Sequence, residues 1–344
     1  MGIIFALLIF SAIITIHEFG HFIIAKKNHI DVMEFAIGMG PKLIGKEYKG
    51  TLYSIRLLPI GGFCAMGEDD TDVENLTENS FNNKSVWARM AVIFAGPAAN
   101  FILAFLLSVI LVGWLGYDQP VAGGIVENSP AWEAGLQEGD RIVKMDNKTI
   151  HIFREITVYN QMNAGKEVKV TYERDGERDT VAIQPQKSED GSYLFGISGS
   201  GNTKANPLTA LQYGLYEVKY WISTTIDSLK MLFTGAVGVD QLSGPVGIVN
   251  LVDDSYDANK VYGVGAVVST FMNIAILISA NLGVMNLLPI PALDGGRLLF
   301  LIVEAIRGKK WSQEKESMIN FAGFALLMAL MVFVMFNDIK RILF

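Results

Sequence analysis

The strongest constraint in this sequence is a His-Glu-Phe-Gly-His run at positions 17–21, which lies inside an apolar segment. His17 and His21 are four residues apart, so on a helix they share a face and can bind one metal ion. Glu18 would lie beside that ion, where a carboxylate can take a proton from water. Burying three ionisable groups in hydrocarbon costs several kcal/mol unless they have a partner such as zinc. The run therefore predicts the chemistry of a zinc hydrolase within a membrane.

The composition agrees with a membrane location for the whole chain. Of the 344 residues, 51% are hydrophobic, and the mean hydropathy is +0.33. The formal net charge of −7 argues against a nucleic-acid partner. The single cysteine, Cys64, excludes both an internal disulfide and a zinc site built from several thiolates.

Four apolar segments are long enough to cross a bilayer as helices. Lysine and arginine residues follow the first and the third segments, which places these two ends in the cytoplasm and both termini outside. The metal would then lie within the membrane, nearer its cytoplasmic side. The predicted spans are residues 2–25, 87–115, 262–288 and 318–337.

Residues 32–66 differ from the spans because they combine many glycines with short runs of β-type residues. With a turn at Gly50, this pattern predicts a small membrane-associated β-hairpin or sheet. Two interpretations are equally favoured: the hairpin covers the zinc site, or its free edge binds an extended substrate by β-augmentation. The acidic and polar residues 68–83 that follow are typical of a surface loop.

Residues 119–186 carry charged residues and recurring strand-like runs separated by turns, as expected for a soluble β-rich module. Ser-Pro-Ala at 129–131 and Ala-Gly-Leu-Gln-Glu-Gly-Asp-Arg-Ile at 134–142 resemble a PDZ domain of the type found in bacterial proteases. PDZ domains bind extended peptides or C-termini by adding a strand. We expect a linker and amphipathic helices over residues 187–260, with a Gly/Ser-rich linker at 187–204 and the helices on the outer membrane surface at 207–233.

The third metal ligand is predicted to be Asp294. Zinc hydrolases use three protein ligands and leave a position for water. Spans one and three both run inward, and His21 and Asp294 each lie only a few residues before a basic edge, so they share a depth. His29 lies beyond the first basic edge and His151 lies in the soluble module, which makes both poor candidates.

Two asparagines lie within or beside the spans. Asn286 precedes Asp294 by eight residues in a stretch broken by two prolines, where it can hydrogen-bond a substrate backbone or an oxyanion. A purely structural Asn286 is the alternative. Asn100 follows a Gly-Pro pair in the second span and needs a polar partner in the bundle, so packing is favoured for it over catalysis.

These motifs together resemble the site-2 protease family of intramembrane zinc metalloproteases, in the bacterial branch that contains the regulator of sigma-E protease. The resemblance rests on the pentad, on Gly-Pro-Ala-Ala-Asn at 96–100, on the PDZ insert and on Asn-Leu-Leu-Pro-Ile-Pro-Ala-Leu-Asp-Gly-Gly at 286–296. It implies a multi-pass α-helical membrane protein whose two membrane halves, residues 1–116 and 261–344, flank an extracytoplasmic PDZ domain. This chain has room for a single PDZ domain, whereas some members of the family have two.

The same resemblance implies a metalloendopeptidase with a Zn²⁺ cofactor in the bacterial cell membrane. Its expected substrates are single-span membrane proteins such as anti-sigma factors, or remnant signal peptides, with the PDZ domain as a size filter or docking site. Two other functions fit the sequence less well. A metal transporter would need polar residues along several spans, and the second and fourth have almost none. A non-catalytic PDZ scaffold would leave the buried Glu18 without a role.

Overall fold

A computed structural model describes residues 2–66, 78–188, 191–238 and 242–343. Most of the predicted acidic loop, residues 68–77, lies outside the described residues. The chain divides into two compact units: Met1–Leu107 together with Trp221–Phe344 form the first, and Ser108–Tyr220 form the second. The helices in chain order are α1 (Gly2–Lys27), α2 (Val86–Leu115), α3 (Pro130–Glu133), α4 (Arg154–Met162), α5 (Pro207–Phe233), α6 (Pro245–Asn259), α7 (Val264–Asn286), α8 (Asp294–Arg307) and α9 (Gln313–Leu343).

Within the described chain, four of these helices are long and apolar enough to cross a membrane, which confirms the predicted number of spans. They are α1, α2, α7 and α9. The third span, α7, ends at Asn286 rather than at residue 288, because Pro289 and Pro291 interrupt the backbone that follows. The fourth is longer at both ends than predicted, since acidic residues begin it and basic residues end it.

The predicted hairpin is confirmed as strands β1 (Glu34–Tyr48) and β2 (Thr51–Ala65), which pair antiparallel. The turn between them contains Gly50 at φ 73°, a conformation that glycine adopts without strain. Residues 34–37 pair both with 52–55 and with 62–65, so the two long strands form a folded sheet of four segments. The end of β2 lies along α1, where a side chain at Gly62 would contact Thr15.

The second unit contains a four-stranded antiparallel sheet in the order β6–β5–β7–β8. Its buried core includes Leu136, Ile142, Ile156 and Val170. The strands of this unit are β3 (Tyr117–Asp118), β4 (Ala122–Ile125), β5 (Arg141–Met145), β6 (Lys148–Thr149), β7 (Val168–Arg174), β8 (Glu177–Ile183), β9 (Gln186–Lys187), β10 (Tyr193–Leu194), β11 (Ile197–Gly199) and β12 (Asn202–Thr203).

The prediction of a linker over residues 187–204 is wrong. Strand β11 pairs with β4 through Ile197 and Ile125, and β12 pairs with β3 through Thr203 and Tyr117. The glycine and serine content suggested flexibility, but β4 needs a hydrogen-bonding partner, and Phe195 is 4% exposed in the core. The β-rich module therefore extends to residue 203. The amphipathic segment at 207–233 forms one continuous helix, α5.

Candidate metal centre

Helix α1 places His17 and His21 on one buried face, as their spacing predicts. The two residues are 6% and 5% exposed, and their Nε2 atoms are 3.1 Å apart. Oδ2 of Asp294 lies 3.1 Å from Nε2 of His17 and 3.5 Å from Nε2 of His21. The structure thus brings all three predicted ligands together, although Asp294 is more than 270 residues away in the chain.

Asp294 reaches this position because it begins α8 directly after the broken stretch that follows α7. Two glycines after it allow the broken backbone to fold tightly over the start of α8. A Cβ on Gly295 would lie 2.2 Å from the carbonyl oxygen of Leu288, and one on Gly296 would lie 2.3 Å from that of Ile290. No larger residue fits at these two positions without movement of the backbone.

Helix α2 contacts Nδ1 of each histidine, the ring nitrogen that faces away from the other two ligand atoms. Nδ1 of His21 lies 2.8 Å from the carbonyl oxygen of Val92, and Nδ1 of His17 lies 3.2 Å from Nδ2 of Asn100. Gly96 lies between them, and a Cβ there would be 2.3 Å from Nε2 of His21. The sequence interpretation that favoured packing for Asn100 missed this contact. The four-residue spacing of positions 92, 96 and 100, which puts them on one helix face, was the available signal.

Glu18 contacts the hairpin instead of α2. Its Oε2 accepts a hydrogen bond of 3.1 Å from the backbone N–H of Cys64 in β2. The same strand thus brings the only cysteine close to the site, but burial raises the pKa of the Cys64 thiol to about 12. The sulfur of Cys64 is not one of the three clustered ligand atoms, and the residue contacts the site through its backbone N–H.

Asn286 is the last residue of α7 and is half-buried. It lies outside the cluster of three ligand atoms, whose members are within 4.8 Å of one another. Its predicted role toward substrate therefore has no contact in this structure to support it and stays a prediction.

The geometry of the three ligand atoms fits zinc. Tetrahedral zinc with bonds of about 2.0–2.1 Å needs ligand atoms about 3.3 Å apart, and the three separations are 3.1, 3.1 and 3.5 Å. Oδ2 of Asp294 is buried and has no hydrogen-bond partner within the described chain. When both histidines keep their protons on Nδ1, three lone pairs converge, and only a cation relieves their repulsion.

Four helices long enough to cross a membrane, together with a buried His-Glu-x-x-His and aspartate cluster, define the class of membrane metalloproteases. The chain belongs to peptidase family M50, which it matches over residues 5–330. It is 34% identical over 418 aligned positions to the zinc metalloprotease RasP of Bacillus licheniformis, covering 98% of each chain. It is 32% identical over 419 positions to the regulator of sigma-W protease RasP of Bacillus subtilis, covering 98% of this chain and 97% of the relative.

A solved structure resembles part of the chain. The PDZ domain of the SdrC-like protein of Listeria monocytogenes is 20% identical, with a TM-score of 0.21, and the match covers 25% of this chain and 88% of that domain. The family membership confirms the resemblance found in the sequence. This protein is a multi-pass membrane zinc metalloprotease with Zn²⁺ as its cofactor.

Proposed function

We propose that this zinc metalloprotease cleaves peptide bonds inside the transmembrane segments of single-span membrane proteins. The observation that carries the proposal is the position of the ligand cluster: His17 and His21 lie within a helix long enough to cross the bilayer. A substrate must therefore bring its scissile bond into the membrane to reach the site.

In this proposal His17, His21 and Asp294 hold the zinc and Glu18 is the general base. When bound, zinc supplies Lewis acidity, which activates water and polarises a peptide carbonyl. Glu18 takes a proton from the attacking water and passes it to the leaving amine. The N–H of Cys64 fixes Oε2 of Glu18, so Oε1 is the oxygen that receives the proton.

The end of β2 is the proposed docking edge for the substrate. Residues 62–65 pair with 34–37 on one side, and the N–H of Cys64 points to Glu18 instead of into that ladder. An extended segment added along this edge would pass beside the general base. Helical segments must unwind before cleavage, and strand pairing would stabilise the unwound form. Asn286 is proposed to bind the substrate backbone after this unwinding.

The charge pattern supports an orientation for the protein in a bacterial cell membrane. Lys26 and Lys27 end α1, and Arg307 ends α8, so these ends lie in the cytoplasm and the active site lies nearer that face. The β-rich module, joined to the outer end of α2, would then be extracytoplasmic. The name of the Bacillus subtilis relative, a regulator of sigma-W, supports anti-sigma factors as one substrate class, and remnant signal peptides are the other.

The direct test compares wild type with Glu18→Gln on a single-span substrate in proteoliposomes. The variant keeps the shape of the side chain but lacks its basicity, so we expect wild-type zinc content and a loss of cleavage by at least 100-fold. Mass spectrometry of the products locates the cleaved bond. A cut outside the hydrophobic segment, or cleavage by Glu18→Gln at the wild-type rate, would contradict the proposal.

A second test addresses the module as a size filter. Replacing residues 117–203 by a flexible segment removes every strand that pairs within the module and leaves α2 and α5 intact. We expect the deletion variant to cut a short substrate at the wild-type rate and to begin cutting one with a bulky outer domain. If the short substrate were no longer cut by a variant that still holds zinc, the module would be needed for catalysis and the filter role would be wrong.

A further inference from the structure

The side chain of Asn100 touches a proposed zinc ligand, and its chemistry decides which nitrogen of that ligand is free. Asn100 is 0% exposed, and its Nδ2 lies 3.2 Å from Nδ1 of His17. The other ring nitrogen, Nε2, faces His21 and Asp294 at 3.1 Å each. The two nitrogens of His17 therefore have separate tasks: Nε2 faces the metal position and Nδ1 faces Asn100.

Binding a metal through Nε2 requires that nitrogen to present its lone pair, so the proton of the neutral ring must lie on Nδ1. A protonated Nδ1 is a donor and needs an acceptor. Nδ2 of Asn100 is a donor as well and cannot serve, whereas Oδ1 of the same amide can. The two ends of the amide have nearly the same shape, so a rotation of 180° exchanges them without additional space.

The other contacts of Asn100 do not oppose this rotation. Its Oδ1 is buried and forms no hydrogen bond with the described residues, so no bond is lost when it turns toward His17. Its backbone carbonyl accepts a hydrogen bond of 2.8 Å from Oγ of Ser279. This bond fixes the backbone but does not involve the side-chain amide, so it does not restrict the orientation of that amide. In the observed orientation the Oδ1 end has no partner among the described residues, so the contact with the His17 ring is the one that selects which end of the amide faces it.

The second histidine already shows the expected arrangement. Nδ1 of His21 lies 2.8 Å from the carbonyl oxygen of Val92, two helical turns before Asn100 on the same face of α2. Both histidines would thus donate from Nδ1 to a carbonyl oxygen of α2, one from the backbone and one from a side chain.

We infer that Asn100 is a positioning residue of the zinc site: its Oδ1 accepts the Nδ1 proton of His17 and so fixes the tautomer and the orientation of that ligand. The inference rests on the ligand set given under the proposed function. Loss of such an outer hydrogen bond typically weakens metal binding by about 10–100-fold. A carboxylate in the same place would accept the proton at least as well as the amide oxygen.

The test measures zinc dissociation constants by chelator competition on the purified full chain in detergent. Asn100→Leu removes the acceptor at similar volume, and we expect its dissociation constant to rise about 10–100-fold. Asn100→Asp keeps an acceptor and should bind zinc as tightly as wild type or more tightly. Ser279→Ala is the matched control, because it removes a buried hydrogen bond to Asn100 without touching the amide, and its zinc affinity should stay at the wild-type value.

Three results would overturn the inference. They are wild-type affinity in Asn100→Leu, an equal loss in Asn100→Asp and Asn100→Leu, or an equal loss in Ser279→Ala. Spectra of the zinc-loaded wild type with ¹⁵N-labelled histidine give a reading that needs no variant to fold, and His17 without a proton on Nδ1 would contradict it. If the proposed zinc ligands were wrong, His21→Ala would keep its zinc. That result distinguishes failure of the ligand set from failure of the inference about Asn100.

Discussion

Gly96 is the position where the smallest substitution should damage the metal centre most. A Cβ at this residue would lie 2.3 Å from Nε2 of His21, 2.5 Å from Cε1 of the same ring and 2.8 Å from Cε1 of His17. Ordinary contacts begin at about 3.4 Å, so Gly96→Ala forces the two rings and α2 apart by about 1 Å. Zinc–ligand distances tolerate a deviation of only about 0.2 Å.

We therefore expect Gly96→Ala to weaken zinc binding by about 100-fold or more, beyond the range that follows the loss of one outer hydrogen bond. Helix α2 offers a matched control at Gly113, which lies in the same helix and where an added Cβ would meet no atom within 4 Å. Both substitutions replace a glycine of α2 by alanine, which alone stabilises a helix by up to about 1 kcal/mol, and by less at Gly113 because it lies in the last turn. Any difference between the two variants thus reports the contact with the histidines.

The assay is chelator competition for zinc on both variants, with thermal unfolding in detergent to show that each is folded. Gly113→Ala should bind zinc with wild-type affinity. Gly96→Ala should lose zinc at chelator concentrations that leave the control loaded, and its protease activity should fall in parallel. Equal zinc affinities of the two variants would refute the reasoning, because the rings would then have room that the structure does not give them.

Three further predictions follow from single contacts. Arg89 and Glu304 form a buried ion pair between α2 and α8, so Arg89→Ala should lower the free energy of unfolding by about 3–5 kcal/mol, and the Arg89→Glu/Glu304→Arg double variant should recover part of it in a denaturation assay. His21→Ala should lose stoichiometric zinc by elemental analysis, and unchanged zinc would reject this ligand. Burial raises the pKa of Glu217 from 4.5 to about 7, with Arg154 acting in the opposite direction. The folded state then holds this proton more tightly, so the unfolding temperature should fall as the pH rises across that interval, and Glu217→Gln should remove that slope.

Local patterns in the sequence were sufficient to predict the spans, the hairpin and the three side chains that the structure brings together as candidate ligands. Apolar length predicts a membrane helix because hydrocarbon leaves the backbone no other partners, so the four spans needed no tertiary information. The four-residue spacing of His17 and His21 fixes a shared helix face in the same way. Asp294 was predicted from a comparison of depth between two spans, since basic residues mark where each reaches the cytoplasmic side.

The sequence by itself determined which residues could bind zinc, but only the tertiary structure decided what holds them. The contact of Asn100 with His17, the hydrogen bond from Cys64 to Glu18 and the strands of residues 187–204 all join segments far apart in the chain. Helical and strand periodicity describe one segment at a time and carry no information about which segment will satisfy a buried polar group. That choice depends on the packing of α1 against α2 and of β11 against β4, where each buried donor or acceptor must find a partner.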